Sequence, residues 1–157
     1  MISKMSAPQE LYAAARQDLA ALAGPLFNLS EKRLRERGYF LPHAAVLSTD
    51  GRVALLDAMC STPGGFAHSD HILPMLRDGL RSMAGERNLK AIAIAEIVAA
   101  IPEGEQTRAI KVLIEHQLGL TIAFYMPITQ TDIGGYELGK VRTFFTEPEI
   151  HAWRTDR

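Results

Sequence analysis

The stretch from Ile110 to Met126 restricts the fold more than any other part of the chain. Ile110, Val112 and Ile114 alternate with Lys111, Leu113 and Glu115; after Gln117-Leu118-Gly119, residues Leu120, Ile122, Phe124 and Met126 alternate with Thr121, Ala123 and Tyr125. A period of two places alternate side chains on opposite faces of a strand. A short loop ending in glycine suits a hairpin, because glycine enters the left-handed region at little cost. The three-residue loop sets Ile114 against Ile122, Val112 against Phe124 and Ile110 against Met126, which makes one face continuously apolar. A two-residue loop would set Glu115 against Ile122 and break that face. The pattern therefore predicts a long central hairpin with one buried face.

The remaining segments are consistent with a sheet built outward from that hairpin. Asp50-Gly51 lies between Ala44–Thr49 and Arg52–Ala58. It signals a second hairpin, with a type I′ turn that pairs Ser48 with Val53 and Val46 with Leu55. Lys90 to Ile101 is apolar on both faces and rich in β-branched residues, and Pro102-Glu103-Gly104 follows it, so a central strand is expected there. A weaker strand is expected over 136–145. Ser69 or Asp70 can cap a helix whose apolar face is Ile72, Leu73, Leu76, Leu80 and Met83. At the N-terminus, Ser6 and Gln9 fit a capping box, and Leu11, Ala15, Leu19 and Leu22 follow at helical spacing. Gly24-Pro25 is expected to stop or kink that helix, with a second helix from near Leu26 to Arg37.

These readings give an α+β domain: a mostly antiparallel sheet of about five to six strands with one main helix packed on it. Residues 1–37 form an N-terminal helical arm, 38–145 the core and 146–157 a tail. The arm can lie on the sheet or on a second subunit.

Composition limits the functional classes. The 157 residues suit a single domain, and 47% hydrophobic with 22% charged residues is ordinary for a globular protein. Seventeen basic and 18 acidic residues leave a net charge of −1, with no basic run to attract nucleic acid or an anionic membrane. One cysteine, Cys60, rules out an internal disulfide. No signal-peptide core precedes residue 7, and the longest apolar run is too short to span a bilayer, so a cytoplasmic location is expected.

Two segments resemble a family of small uncharacterised bacterial proteins. Gly38-Tyr39-Phe40-Leu41-Pro42-His43-Ala44, followed by Asp50-Gly51, is similar to its G-x-F-x-P-x-A entry and DG hairpin, with His43 where the pattern has an aromatic. Ala109 to His116, followed by Gly119 and Met126-Pro127, is similar to its second signature, a strand ending in Glu-His. The likeness spans roughly residues 33–128, and it implies an α+β fold and no named activity. The order of elements also resembles roadblock and profilin-like scaffolds, whose members often dimerise and bind protein partners; this is an analogy of topology.

Three residues are candidates for a polar site. Glu115 and His116 are adjacent in a strand, so their side chains leave opposite faces and cannot act on each other directly. Glu96 stands inside an apolar strand, where a carboxylate is costly unless paired. Glu96 and Glu115 on one sheet, with His116 nearby, would form a cluster able to titrate near neutrality or hold a cation. The bland alternative is that Glu96 is satisfied by Arg108, Lys140 or Arg142 and that His116 closes a strand end. Cys60, His68 and His71 do not follow a recognised zinc spacing. No G-x-S-x-G, H-E-x-x-H, EF-hand or phosphate-binding glycine motif occurs. No cofactor and no metal are therefore assigned. The leading expectation is a non-catalytic module that forms a homodimer or docks a protein partner, with 136–145 as a possible edge strand; the second is a small enzyme or ligand-binding protein using Glu96, Glu115 and His116.

Overall fold

A computed structural model describes residues 8–57, 69–86, 88–104 and 106–153. The order of elements is α1 (Pro8–Arg37), β1 (His43–Ser48), β2 (Val53–Asp57), α2 (Ser69–Glu86), β3 (Leu89–Val98), β4 (Ala109–His116), β5 (Leu120–Gln130), β6 (Tyr136–Leu138) and β7 (Arg142–Phe145). The strands form one antiparallel sheet in the order β2-β1-β3-β4-β5-β6, with β7 also paired to β5. The fold is α+β, as the patterning predicts, with seven strands among the described residues rather than five or six.

The β4–β5 ladder has the expected register, with Ile114 opposite Ile122, Val112 opposite Phe124 and Ile110 opposite Met126. The single buried face, however, is too modest an expectation. Every residue of β4 is buried, and β3 is buried on both faces over most of its length. Two layers cover the sheet. On one face α1 packs Ala15, Leu19, Leu22, Leu26 and Leu34 against Ala93, Val112, Ile114 and Ile122. On the other, Ile72, Leu76 and Leu80 of α2 pack with Val46, Ile92, Ile94 and Leu113, and Ile150 of the C-terminal segment joins them with no exposed surface.

The N-terminal arm is one helix of 30 residues, not two. Pro25 lies inside it and removes one intrahelical hydrogen bond, a cost of about 3 kcal/mol in a free helix. Leu22 and Leu26, on either side of it, are fully buried against the sheet. Burial of each is worth about 1.5–3 kcal/mol, so packing outweighs the local penalty. The arm is thus a structural layer of this chain.

The second hairpin is shifted by one residue from the expected pairing. Leu47 faces Val53 and Ala45 faces Leu55. Gly51 N–H bonds Ser48 O at 2.9 Å, and Ser48 N–H bonds Arg52 O at 2.8 Å. Gly51 has φ +91° and Asp50 is not in the positive-φ region. The loop is therefore Thr49-Asp50-Gly51, a turn closed by one left-handed glycine, the same type as Gln117-Leu118-Gly119. A type I′ turn would have forced Asp50 into the left-handed region; here its Oδ1 accepts the Arg52 N–H at 3.2 Å instead. Because side chains alternate, the one-residue shift moves Val53 and Leu55 to the α1 face.

The expected strand over 136–145 is two short ones. Gly139 N–H bonds Pro127 O at 2.9 Å between them, and β6 and β7 cover different lengths of β5. No helix of the described residues is long and apolar enough to cross a membrane.

Gly119 (φ +96°) has no atom within 4 Å of where a Cβ would stand. Gly119→Ala should therefore cost only the backbone penalty, about 1–2 kcal/mol in urea denaturation, with native near-ultraviolet dichroism. A loss far beyond that range would contradict the open space around this position.

Candidate functional site

Glu115 and His116 are held by separate sets of hydrogen-bond partners, and Glu96 lies near charged neighbours without a hydrogen bond among the described residues. His116 ends β4 on the α1 face, 4% exposed. Its Nε2 lies 2.8 Å from Asp18 Oδ2 on α1, and its Nδ1 accepts the Leu118 N–H at 3.1 Å. A nitrogen that accepts an amide hydrogen carries no proton of its own, so the ring is the neutral tautomer that donates from Nε2 to Asp18. Lys90 Nζ stands 3.6 Å from the other Asp18 oxygen. Both ring nitrogens are occupied, one by the hairpin loop and one by the helix. His116 pins α1 to the end of the sheet and has no free nitrogen to act as a base.

Glu115 projects to the opposite face. Its Oε2 accepts the N–H of Glu149 at 2.8 Å and that of Ile150, and its Oε1 accepts the N–H of Ala152 at 3.2 Å. One carboxylate, 3% exposed, thus gathers the backbone of the C-terminal segment onto the sheet. Arg81 of α2 completes the attachment, donating from Nε to Ile150 O at 2.8 Å. The tail is therefore a strap with a defined position over residues 146–153.

Glu96 lies on the same face as Glu115, opposite Lys111 on β4. Lys111 in turn faces Tyr125 on β5. Lys111 Nζ bonds Glu149 of the strap at 2.8 Å, and Arg77 of α2 approaches the other Glu149 oxygen at 3.6 Å. The residues expected to satisfy Glu96 were Arg108, Lys140 or Arg142; its charged neighbours are Lys111 and Arg77. Burial is the largest influence on Glu96 and pushes its pKa above 4.5; Lys111 pulls it down, Glu149 up and Arg77 down. Burial likewise raises the Tyr125 hydroxyl, with Lys111 opposing. Arg77 Nε is buried without a hydrogen-bond partner among the described residues.

His43 is 1% exposed. Its Nδ1 donates to Leu41 O at 3.0 Å, and its Nε2 lies 3.0 Å from the Ser30 hydroxyl. With its ring 5.1 Å from that of Phe40, it fills the junction of α1 and β1.

Beside the strap opens a cleft of about 290 Å³. Glu115, His116, Gly119 and Thr121 line it from the hairpin, and Pro148, His151 and Trp153 from the strap. Of these the sequence pointed to Glu115 and His116; Glu96, the third candidate, does not line the cleft. Thr121 was legible only as the residue across the ladder from Glu115, and His151 and Trp153 carried no local signal. Cys60 and His68 lie outside the described residues. Among the described residues no group of three His, Cys, Asp or Glu side chains is placed to hold a metal ion. No protein-family model, curated protein or solved structure matches the chain.

Two outcomes are expected. Folding raises the Glu96 pKa, so the native state binds that proton more tightly than the unfolded state, and stability falls as pH rises from 4.5 through the folded value. Glu96→Gln should therefore be more stable than the parent at about pH 7, and the two should converge below pH 4.5, measured by urea midpoints across pH. An unchanged gap at acid pH would contradict this origin. Glu115→Gln removes the charge and turns an amide toward backbone donors. It should cost about 2–3 kcal/mol and free the strap, read as a red shift of the single tryptophan, Trp153, with the sheet's far-ultraviolet signal retained.

Proposed function

We propose that the chain is a non-catalytic module that self-associates, two copies joining through the outer edges of β2 about a two-fold axis. One observation carries this reading: among the described residues β2 ends the sheet, and Val53 and Leu55 on its α1 face are 37% and 48% exposed. An edge strand offers unpaired backbone groups to another strand, and edges that stay single are usually guarded by lysine, proline or a bulge. Val53-Ala54-Leu55-Leu56-Asp57 has no lysine and no proline. The opposite edge differs, since β5 is covered along different lengths by the short strands β6 and β7. An antiparallel pairing of two β2 strands is self-complementary, as a two-fold interface requires. It would bring the exposed apolar side chains of both copies onto one face.

The catalytic alternative through Glu96, Glu115 and His116 has less support. His116 points away from both carboxylates, and its nitrogens are engaged. Glu115 is occupied by the strap.

Sedimentation velocity on the full chain tests the proposal. The wild type should sediment as a dimer, and Leu55→Lys as a monomer with unchanged circular dichroism. A wild type that stays monomeric at high concentration would sink it, and so would a dimer indifferent to charge at residue 55.

A further inference from the structure

The cleft beside the strap is lined by a carboxylate that no cationic side chain of the described residues pairs with. Glu115 Oε2 accepts two backbone N–H groups and Oε1 accepts one. Each carboxylate oxygen has two acceptor positions, so Oε1 retains one. Among the described residues no lysine, arginine or histidine pairs with Glu115; Lys111, on the same face of β4, is bonded to Glu149 at 2.8 Å. Peptide dipoles orient the carboxylate, but they are not a counter-charge.

A second group in the cleft is also unused. Thr121 stands directly across the ladder from Glu115 and is 6% exposed. Its backbone carbonyl accepts the Thr146 N–H, whereas its hydroxyl has no hydrogen-bond partner among the described residues. The hydroxyl oxygen is not sealed into the core and can be reached from the cleft it lines. Opposite it the strap supplies His151, held at φ +62°, and the apolar rings of Pro148 and Trp153.

We propose that this cleft binds a small organic cation bearing several N–H donors, an alkylguanidinium or a primary alkylammonium. The cation's charge lies against Glu115 Oε1, one N–H donates to the Thr121 hydroxyl, and the alkyl stem or guanidinium plane rests on Trp153. Indole is the most favourable side chain for such a cation. Other ligand classes fit less well. An anion meets an unneutralised carboxylate. A divalent metal ion needs several oxygen or nitrogen ligands, and the described residues offer no such group. A neutral apolar molecule offers no counter-charge to Glu115 and no donor to the Thr121 hydroxyl. The volume, about 290 Å³, is at the small end for ligand pockets and suits a group of this size.

This site is independent of the proposed β2 interface, because β1 and β3 separate β2 from β4 in the sheet. The test uses the full chain and follows Trp153 emission together with the amide resonances of Gly119 and Thr121. The probes are butylguanidinium, butylammonium, the neutral isostere butylurea and an arginine-containing tripeptide. Saturable shifts are expected with the cations, with butylurea weaker by about ten-fold or more. Thr121→Val should weaken the cations several-fold while leaving the emission of the free protein unchanged, which shows that the strap is still docked. If the tripeptide binds as well as the free cations, the natural ligand class extends to a peptide side chain; if it does not, the site takes the free ion. No saturable response to either cation, or an equal response to butylurea, overturns the proposal, whatever the oligomeric state.

Discussion

Burial of β3 and β4 on both faces is the constraint to which the rest of the molecule answers. An antiparallel sheet commonly leaves one face to solvent. Here Ala93, Val112 and Ile114 point one way and Ile92, Ile94 and Leu113 the other, and all are withdrawn from water. Two covers are then obligatory. The α1 helix spans one face alone, whereas α2 meets the other chiefly over β1 and β3 and leaves the β4–β5 end to the strap. Ile150 supplies the missing apolar contact there, and the polar backbone that arrives with it needs an acceptor. Glu115 is that acceptor. A carboxylate that looks out of place in an apolar ladder becomes intelligible once the strap it receives is considered.

The same logic explains why the polar groups are divided between faces rather than pooled. His116 meets α1 through Asp18, Glu115 meets the strap, and Lys111 divides its influence between Glu96 and Glu149. Each is an attachment between a cover and the sheet. Glu96 alone is left with incomplete compensation, which is why burial governs its titration.

Much of this was legible in the sequence where the determinants are local. The β4–β5 register followed from side-chain alternation plus one glycine, since a two-residue loop would have placed Glu115 against Ile122. The Asp-Gly hairpin was legible as a hairpin but not in its register, because the dipeptide suits two turns that differ by one residue and only the cover decides between them. The continuity of α1 through Pro25 was hidden for a related reason: the leucines that offset the proline gain their value from the sheet. The strap was least accessible. Its bonds join Glu115 to residues 34 to 37 positions away, and the His116–Asp18 bond spans 98 positions. No periodicity encodes such pairs.

The placement of α1 bears on how the chain reaches this state. The helix comes first, yet nearly everything it rests on lies downstream, as far as Phe124 and Ile128. An isolated helix interrupted by proline is a poor nucleus. The tight hairpins can close quickly by themselves, whereas the helical cover has to wait for distant strands to assemble. Until then its leucine stripe and one side of the sheet are both wet, so the interval before docking is when this chain is most exposed to aggregation.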